Sequence, residues 1–369
     1  MRLGLFHGKL IADYNIGAMK VRLPHWPRRL IIAIVLAHFL LAALVIQMLR
    51  SDRLPGGPGK IERTEFLMDT IVKAEIFTDD KQQAGDALTA VFSEVAALES
   101  VLDRHVDGSD VSRINQAAGE TPVAVSDVTL SVVRLALEIG RLTEGAFDIT
   151  IAPLIELWGF GTGDVAVPTE EQRLEALELV DYTRVQLEGE NRIFLPDPEM
   201  QLDLGGIAKG FIVDRAVEFL LDAGVTSANF NAGGDIRVIG DKPDGSAWRI
   251  GITHPRPRDS RDLIAIVEIR DKAIVTSGDY ERYFLADGIR YHHILDPETG
   301  LPAQGLTSVT IVADDAHTAD ALSTAVFVMG TAQGMELIES LPEVEAILIT
   351  EDETLHISTG LQGKVEILE

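Results

Sequence analysis

The chain has 369 residues, no cysteine and a formal net charge of -26. That length is enough for a substantial core, and the missing cysteine excludes disulfides, thiolate metal sites and a cysteine nucleophile. The charge argues against a nucleic-acid partner, because no basic stripe beyond the N-terminus can neutralise phosphates, and any anionic ligand must be met by local donors or a bound cation.

In chain order, residues 1–29 form a basic N-terminus, and residues 30–49, LIIAIVLAHFLLAALVIQML, are an apolar run long enough to cross a bilayer. Lys20, Arg22, Arg28 and Arg29 precede the run and favour a cytoplasmic N-terminus, and no small-x-small cleavage site follows it. The expectation is an uncleaved, single-pass signal anchor in the inner (cytoplasmic) membrane, with the folded part on its extracytoplasmic side. Residues 50–61 are rich in proline and glycine and read as a flexible tether; residues 62–369 read as the folded domain.

Alternation and β-branching predict a strand from Glu65 to Phe77, and Ala87, Leu88, Val91, Val95 and Leu98 recur at helical spacing within Asp80 to Leu102. A polar, turn-rich segment follows, then an amphipathic helix over Val128 to Leu142, closed by Gly145. Ala146 to Gly163 is an apolar run interrupted by Asp148 and Thr150 and ending in Trp158 and Phe160 between glycines; it reads equally as a pocket wall or as an aromatic plug. Thr169 caps a helix running to Leu179, and Arg192 to Leu195 is a short strand.

Leu202 to Leu220, LDLGGIAKGFIVDRAVEFL, passes from a strand-like repeat through Gly205, Gly206 and Gly210 into a helical pattern. Such a turn brings backbone close to a ligand at a helix N-terminus, or simply connects two elements. It matches neither the dinucleotide fingerprint nor the phosphate loop. Beyond it, strands are predicted at 227–231, 236–239, 248–253, 264–269, 273–276, 290–295 and 308–313, most joined by short turns that imply antiparallel pairing. The predicted class is α+β, with mixed, largely antiparallel sheets packed with helices; the paired helices early in the chain suggest layers over a doubly wound sheet.

Four groups carry candidate chemistry. Asn229 to Asp235, NFNAGGD, ends a strand in two glycines and an acid, and Thr276 to Tyr280, TSGDY, places small hydroxyls at a strand end. In Tyr291 to Gly300, YHHILDPETG, a strand would point His292 and His293 to opposite faces, so that only one can serve a site, as a general base or as a structural histidine. In Asp315 to Thr324, DAHTADALST, Thr318 reads as the N-cap of a helix running to Met329. Asp320 and Thr324 then lie one turn apart and offer hard oxygen ligands suited to Mg²⁺.

Together and in order, these stretches resemble the FAD:protein FMN transferase family, the ApbE-like flavin transferases. The matching stretches are Phe147 to Thr150 with Pro153-Leu154 and Leu157 to Gly161, Asp203 to Gly210, Asn231 to Asp235, Thr276 to Tyr283, His292 to Gly300 and Ala319 to Thr324. The resemblance spans roughly residues 62–360 and implies an ApbE, T-fold-like domain. It implies a Mg²⁺-dependent enzyme that takes FAD as substrate and transfers FMN to a Thr or Ser hydroxyl of an acceptor flavoprotein, releasing AMP. By the same resemblance His293 is the catalytic histidine; Gly206, through its carbonyl, with Asp320, Thr324 and the nearby Ser323 forms the metal site. Met68, His105, Ala146, Phe147, Asp148, Asp203, Lys209 and Ile294 contact FAD. An FAD pyrophosphatase, with water as acceptor, or a non-catalytic FAD-binding module would share much of this set. Two departures bear on flavin affinity: Met68-Asp69-Thr70 stands where the family has Met-Gly-Thr, and His105 is the closest candidate for an aromatic flavin contact near Ser109.

Overall fold

The computed structural model describes residues 15–16, 19–20 and 58–368, apart from residues 162 and 257–261. Asn15–Ile16 pairs antiparallel with Met19–Lys20 in a unit of its own, residues 1–57, and the domain is the second unit, residues 58–369. The anchor read over 30–49 and most of the tether lie outside the described residues; the first strand starts at Gly59, within the segment read as tether.

The single strand predicted over Glu65 to Phe77 is a hairpin of β1 (Gly59–Leu67) and β2 (Thr70–Thr78). Its turn is Met68-Asp69, with φ of 53° and 55°. A two-residue turn of this kind usually announces itself with glycine, so the alternating pattern runs on through it in the sequence. Helix α1 (Lys81–Leu102) starts at the Asp80 cap, whose carboxylate accepts from the Gln83 N–H. The polar stretch after it holds the short helix α2 (Asp110–Gln116), capped by Ser109. Then come α3 (Asp127–Leu142), α4 (Ala152–Trp158), α5 (Glu170–Leu177), opened by a Thr169/Gln172 capping box, and α6 (Ala208–Asp222). Three short strands, β3 (Val123–Ala124), β4 (Gln186–Glu188) and β5 (Arg192–Phe194), form a small sheet in the order β3-β5-β4.

The strand-rich half supplies β6 (Ala228–Ala232), β7 (Asp235–Ile239), β8 (Trp248–Thr253), β9 (Leu263–Ile269), β10 (Ala273–Gly278), β11 (Tyr283–Ala286), β12 (Ile289–His292) and β13 (Leu306–Ala313). It closes with α7 (Ala316–Ser340), β14 (Glu345–Thr350), β15 (Leu355–Ile357) and β16 (Val365–Ile367). The main sheet has eight strands in the order β15-β14-β13-β10-β7-β6-β2-β1, and every pairing is antiparallel. It is therefore not doubly wound: its strands are joined by hairpins and by antiparallel returns through helices.

Period-two alternation dictates how the sheet is covered. Val275, Val309, Ile311 and Leu348 face Ala319, Leu322, Val326 and Phe327 of α7, whereas Ile274, Val312, Ile347 and Ile349 face a second sheet, β8-β9-β16, through Trp248, Ile250, Ala265 and Val267. The central strand β13 is buried along its whole length for this reason. On the helical side α6 packs against α7, and α1 packs against α6. Helix α7 is long and apolar because it is a core helix; its backbone breaks at Gly330, with φ 74° and ψ -178°, and continues to Ser340.

Candidate active site

Asp214 begins the construction of the site, because it fixes where α7 starts. Its Oδ1 accepts from Arg237 Nη1 (2.6 Å) and the Ala316 N–H (2.8 Å), and its Oδ2 accepts from the His317 N–H (2.9 Å) and lies 2.6 Å from His317 Nδ1. The cap predicted at Thr318 is thus supplied from α6, about a hundred residues earlier, and Thr318 lies inside the helix. Asp214, Asp315 and His317 have the look of a metal cluster, but both oxygens of Asp214 are committed to capping α7 and pairing Arg237. One turn along, the Gly210 N–H donates to Asp320 Oδ2 at 2.9 Å. Gly210 has to be glycine for this: a β-carbon there would stand 2.4 Å from the Ala316 carbonyl oxygen.

Asp320 and Thr324 line a cavity of about 970 Å³ between α1, α4, the start of α6, the end of β10 and the β11–β12 hairpin. Gly206 stands opposite them, close enough that a β-carbon on it would lie 3.7 Å from Thr324 Oγ1 and 3.0 Å from the Phe147 ring. Ser277, at the end of β10, places its Oγ 2.7 Å from Ser323 Oγ and 3.4 Å from Thr324 Oγ1. Ser323 itself is fully buried and donates to the Asp320 carbonyl, so it supports the wall without lining the cavity. The side chains on the wall, a carboxyl group and hydroxyls, offer hard oxygen and fit a hard divalent cation.

The electrostatics agree with that fit. Burial, with Asp235 nearby and only partial relief from Lys209, pushes the Asp320 carboxyl up to about 8. Lys209 Nζ is 2.9 Å from Asp235 Oδ1, and this ion pair holds the lysine charged, above its ordinary range, against the cost of burial. Among the described residues, Asp235 Oδ2 has no hydrogen-bond partner. Glu281, which the motifs did not single out, lines the same cavity; desolvation pushes it up to about 7 despite Lys209 and Arg282.

A pH dependence follows. The unfolded chain releases the Asp320 proton near its ordinary 3.8, whereas the folded chain keeps it to about 8. Between those values the unfolded state binds fewer protons, so this group's contribution to stability declines as pH rises through the window. Thermal melts of EDTA-treated protein will show Tm falling between about pH 5 and 8 relative to an Asp320→Asn variant. A difference that is flat or opposite in sign would contradict the placement of Asp320.

The histidine pair divides as the strand geometry requires. His292 is buried, donates through Nε2 to the Ala303 carbonyl (2.8 Å) and meets the Phe327 ring edge-on, which makes it structural. His293 follows β12, its N–H donating to the Arg282 carbonyl (3.1 Å) as a continuation of the hairpin ladder, and its ring lines the cavity. Its Nδ1 lies 3.2 Å from the same carbonyl, an obligate acceptor, so Nδ1 carries the proton and Nε2 keeps a free lone pair. Desolvation, reinforced by Arg282, lowers its pKa to about 3, so the ring is neutral.

The remaining predicted contacts, Met68, His105, Ala146, Phe147, Asp148, Asp203, Lys209 and Ile294, all line this cavity. Besides Lys209, paired with Asp235, the two carboxylates are already engaged within the protein. Asp148 accepts from the Thr150 N–H and hydroxyl and from the Tyr182 N–H; Asp203 accepts from the Gly205 N–H and pairs with Arg104. The stretch 146–163 is both of the things its sequence suggested: Phe147 and Phe160 line the cavity, while Trp158 is a plug packed on Phe160, Phe284 and Tyr291, its Nε1 donating to the Gly300 carbonyl. Arg104 and Glu99 also line the cavity, and no motif marks them in the sequence; Glu281 lines it too and falls within the matching stretch Thr276 to Tyr283, where it was given no role.

A family model described as the ApbE family matches residues 68–348. The FAD:protein FMN transferase of Treponema pallidum (strain Nichols) is 34% identical over 335 residues, which cover 85% of this chain and 92% of that protein. The FAD:protein FMN transferase of Vibrio cholerae is 42% identical over 236 residues, covering 63% of this chain and 70% of that one. Among solved structures, the ApbE protein of Thermotoga maritima superposes with a TM-score of 0.77 at 36% identity, covering 83% of this chain and 99% of the other. The flavin transferase ApbE of Vibrio cholerae gives 0.76 at 33% identity with the same coverage of both chains.

Proposed function

The chain belongs to the ApbE family and is a flavin transferase, and on that premise we propose that it moves the FMN moiety of FAD to a Thr or Ser hydroxyl of an acceptor flavoprotein, with Mg²⁺ bound and AMP released. One observation carries the detailed reading: a neutral histidine, a buried carboxyl group with adjacent hydroxyls, and a paired lysine meet in one cavity that Gly206 also lines. Asp320, Thr324 and the Gly206 carbonyl would hold Mg²⁺, with Ser323 behind them steadying Ser277. The ion, when bound, supplies positive charge that offsets the pyrophosphate and the developing charge on the AMP leaving group.

The chain's own residues do the rest. In transfer, the acceptor oxygen bonds to the FMN phosphorus as the bond to the AMP oxygen breaks, and the hydroxyl proton goes to His293 Nε2. The Arg282 carbonyl orients the ring for that task through Nδ1. A base held near 3 is weak in the free protein, but a bound pyrophosphate places negative charge beside the ring and raises its affinity for a proton. Lys209, fixed by Asp235, faces the same space and adds a positive charge on the phosphate side. The apolar residues Phe147, Ile151, Ile155 and Phe160 offer surface for a ring system.

Gly206→Val tests the metal seat. Branched bulk at a position where even a β-carbon meets the Phe147 ring at 3.0 Å will displace the wall facing Thr324. We expect Mg²⁺-dependent turnover to fall by roughly tenfold or more, with an increased Mg²⁺ requirement, since misplacing a site by about an ångström costs on the order of 10²-fold. Unchanged turnover would return the glycine to a plain connector. The apolar run 30–49 and the basic residues before it support an extracytoplasmic catalytic domain on a membrane anchor. Protease added to intact spheroplasts should then digest the domain, and protection of the domain would sink that placement.

A further inference from the structure

The β11–β12 hairpin is a two-stranded ribbon outside the larger sheets, and its pairing register assigns each side chain to a face. On the inner face Phe284 stacks on Tyr291, with ring centroids 5.4 Å apart, and both pack against Trp158. The other face carries Tyr283, Leu285 and Arg290, with the Arg290 guanidinium 3.7 Å from the centre of the Tyr283 ring. Tyr283 is 44% exposed and Leu285 65%, and Ile289 beside the turn is 55% exposed. An antiparallel strand with one solvated face normally alternates apolar with polar residues. Here large apolar residues stand on both faces, which is the pattern of a ribbon covered on both. None of these four residues lines the cavity, so a ligand filling the cavity does not cover the open face.

Its position identifies the occupant. Glu281 and Arg282, immediately before β11, and His293, immediately after β12, line the cavity, and Leu285 pairs with Arg290, which precedes His293 in the same stretch of chain. At about 3.3 Å per residue, the apolar face lies roughly 10 Å along the strand from that histidine. A protein whose hydroxyl reaches His293 Nε2 has to cover the surface around it, and a stable contact spreads over roughly 800 Å² on each partner, a patch wider than this distance. Tyrosine and arginine are enriched at such contacts and often dominate their energy. Resting on the transfer reading, we propose that the open face and tip of the β11–β12 hairpin, formed by Tyr283, Leu285, Ile289 and Arg290, dock the acceptor flavoprotein, which presents apolar side chains beside its Thr or Ser.

The test compares the full-length wild type with Leu285→Glu, Tyr283→Ser and a control, Ile367→Glu, which alters a 58% exposed residue of β16 outside the hairpin. The probe is an intact acceptor flavoprotein that the wild type labels, titrated at saturating FAD and Mg²⁺ for kcat and KM, with FAD affinity measured separately by calorimetry. We expect both hairpin variants to raise KM for the acceptor roughly tenfold or more, the cost of losing a central interface side chain, with kcat and FAD affinity within about twofold of wild type. Ile367→Glu should match wild type; an equal rise there would trace the effect to added charge and overturn the proposal. Unchanged KM for the acceptor in both hairpin variants would also overturn it. So would a loss of kcat or FAD affinity that accounts for the whole effect, which would reduce the hairpin to a support for His293. A wild-type dimer that the same substitutions dissociate without changing KM would assign the face to a second copy of the chain instead. A wild type that labels no acceptor would overturn the transfer reading on which the proposal rests, an outcome separate from any result with the variants.

Discussion

Replacing His293 with alanine will lower FMN transfer to an acceptor protein by about 10²–10⁴-fold, the usual contribution of a positioned general base. FAD binding should stay within a few-fold of wild type by the same reasoning, since the ring's role is to take a proton at Nε2. The expectation follows from position: His293 is the member of the His292–His293 pair that lines the cavity, and its Nδ1 is tied to the Arg282 carbonyl. His292→Ala behaves differently. That ring is buried against Phe327 and hydrogen-bonded to Ala303, so its loss should lower Tm and leave the transfer rate per folded molecule near wild type. If His293→Ala retained transfer within about fivefold of wild type, the base assignment would fail.

Asp320→Asn carries the second large effect, and its two readouts move in opposite directions. Asparagine can still accept from the Gly210 N–H, so the α6–α7 junction is kept while the charge is lost. We expect Mg²⁺-dependent turnover to drop by about 10²-fold or more, on the scale of removing one electrostatic stabiliser of a transition state. Cation-free stability near pH 8 should instead rise, by roughly 2–4 °C in Tm, because a buried carboxylate facing Asp235 has been neutralised. A variant that lost activity and stability together would assign Asp320 to folding and not to cation binding.

These assignments were partly legible in the sequence because the reacting groups sit in short local motifs. Alternation along Tyr291 to Leu295 separates the two histidines, and helical spacing puts Asp320 and Thr324 on one face. What could not be read locally depends on partners distant in the chain. The cap of α7 comes from Asp214, which leaves Thr318 inside a helix it was expected to open. Lys209 is positioned by Asp235 across the cavity, and Asp203 is engaged with Arg104, a residue in an unremarkable polar segment.

The fold shows the same division. Strands with clear alternation, such as Trp248–Thr253, stand where the pattern put them, but the Met68-Asp69 turn is hidden inside a continuous β-like run because neither residue is glycine. The four-residue strand Tyr283–Ala286 is too short to show a period, yet its pairing with Ile289–His292 delivers His293 to the cavity. The helix that opens at Ala316 breaks where the pattern ended it, at Met329, because Gly330 is non-helical with φ 74° and ψ -178°; a second helical stretch then continues to Ser340.

The most direct test is to incubate the purified full-length chain with FAD, Mg²⁺ and a candidate acceptor flavoprotein, then separate the products by denaturing electrophoresis and assay AMP. The account predicts flavin fluorescence that stays with the acceptor band after denaturation, AMP in equal amount, and loss of both on adding EDTA. Release of AMP at the same rate with no acceptor, and with no fluorescent band for any acceptor tried, would contradict it and point to hydrolysis of FAD.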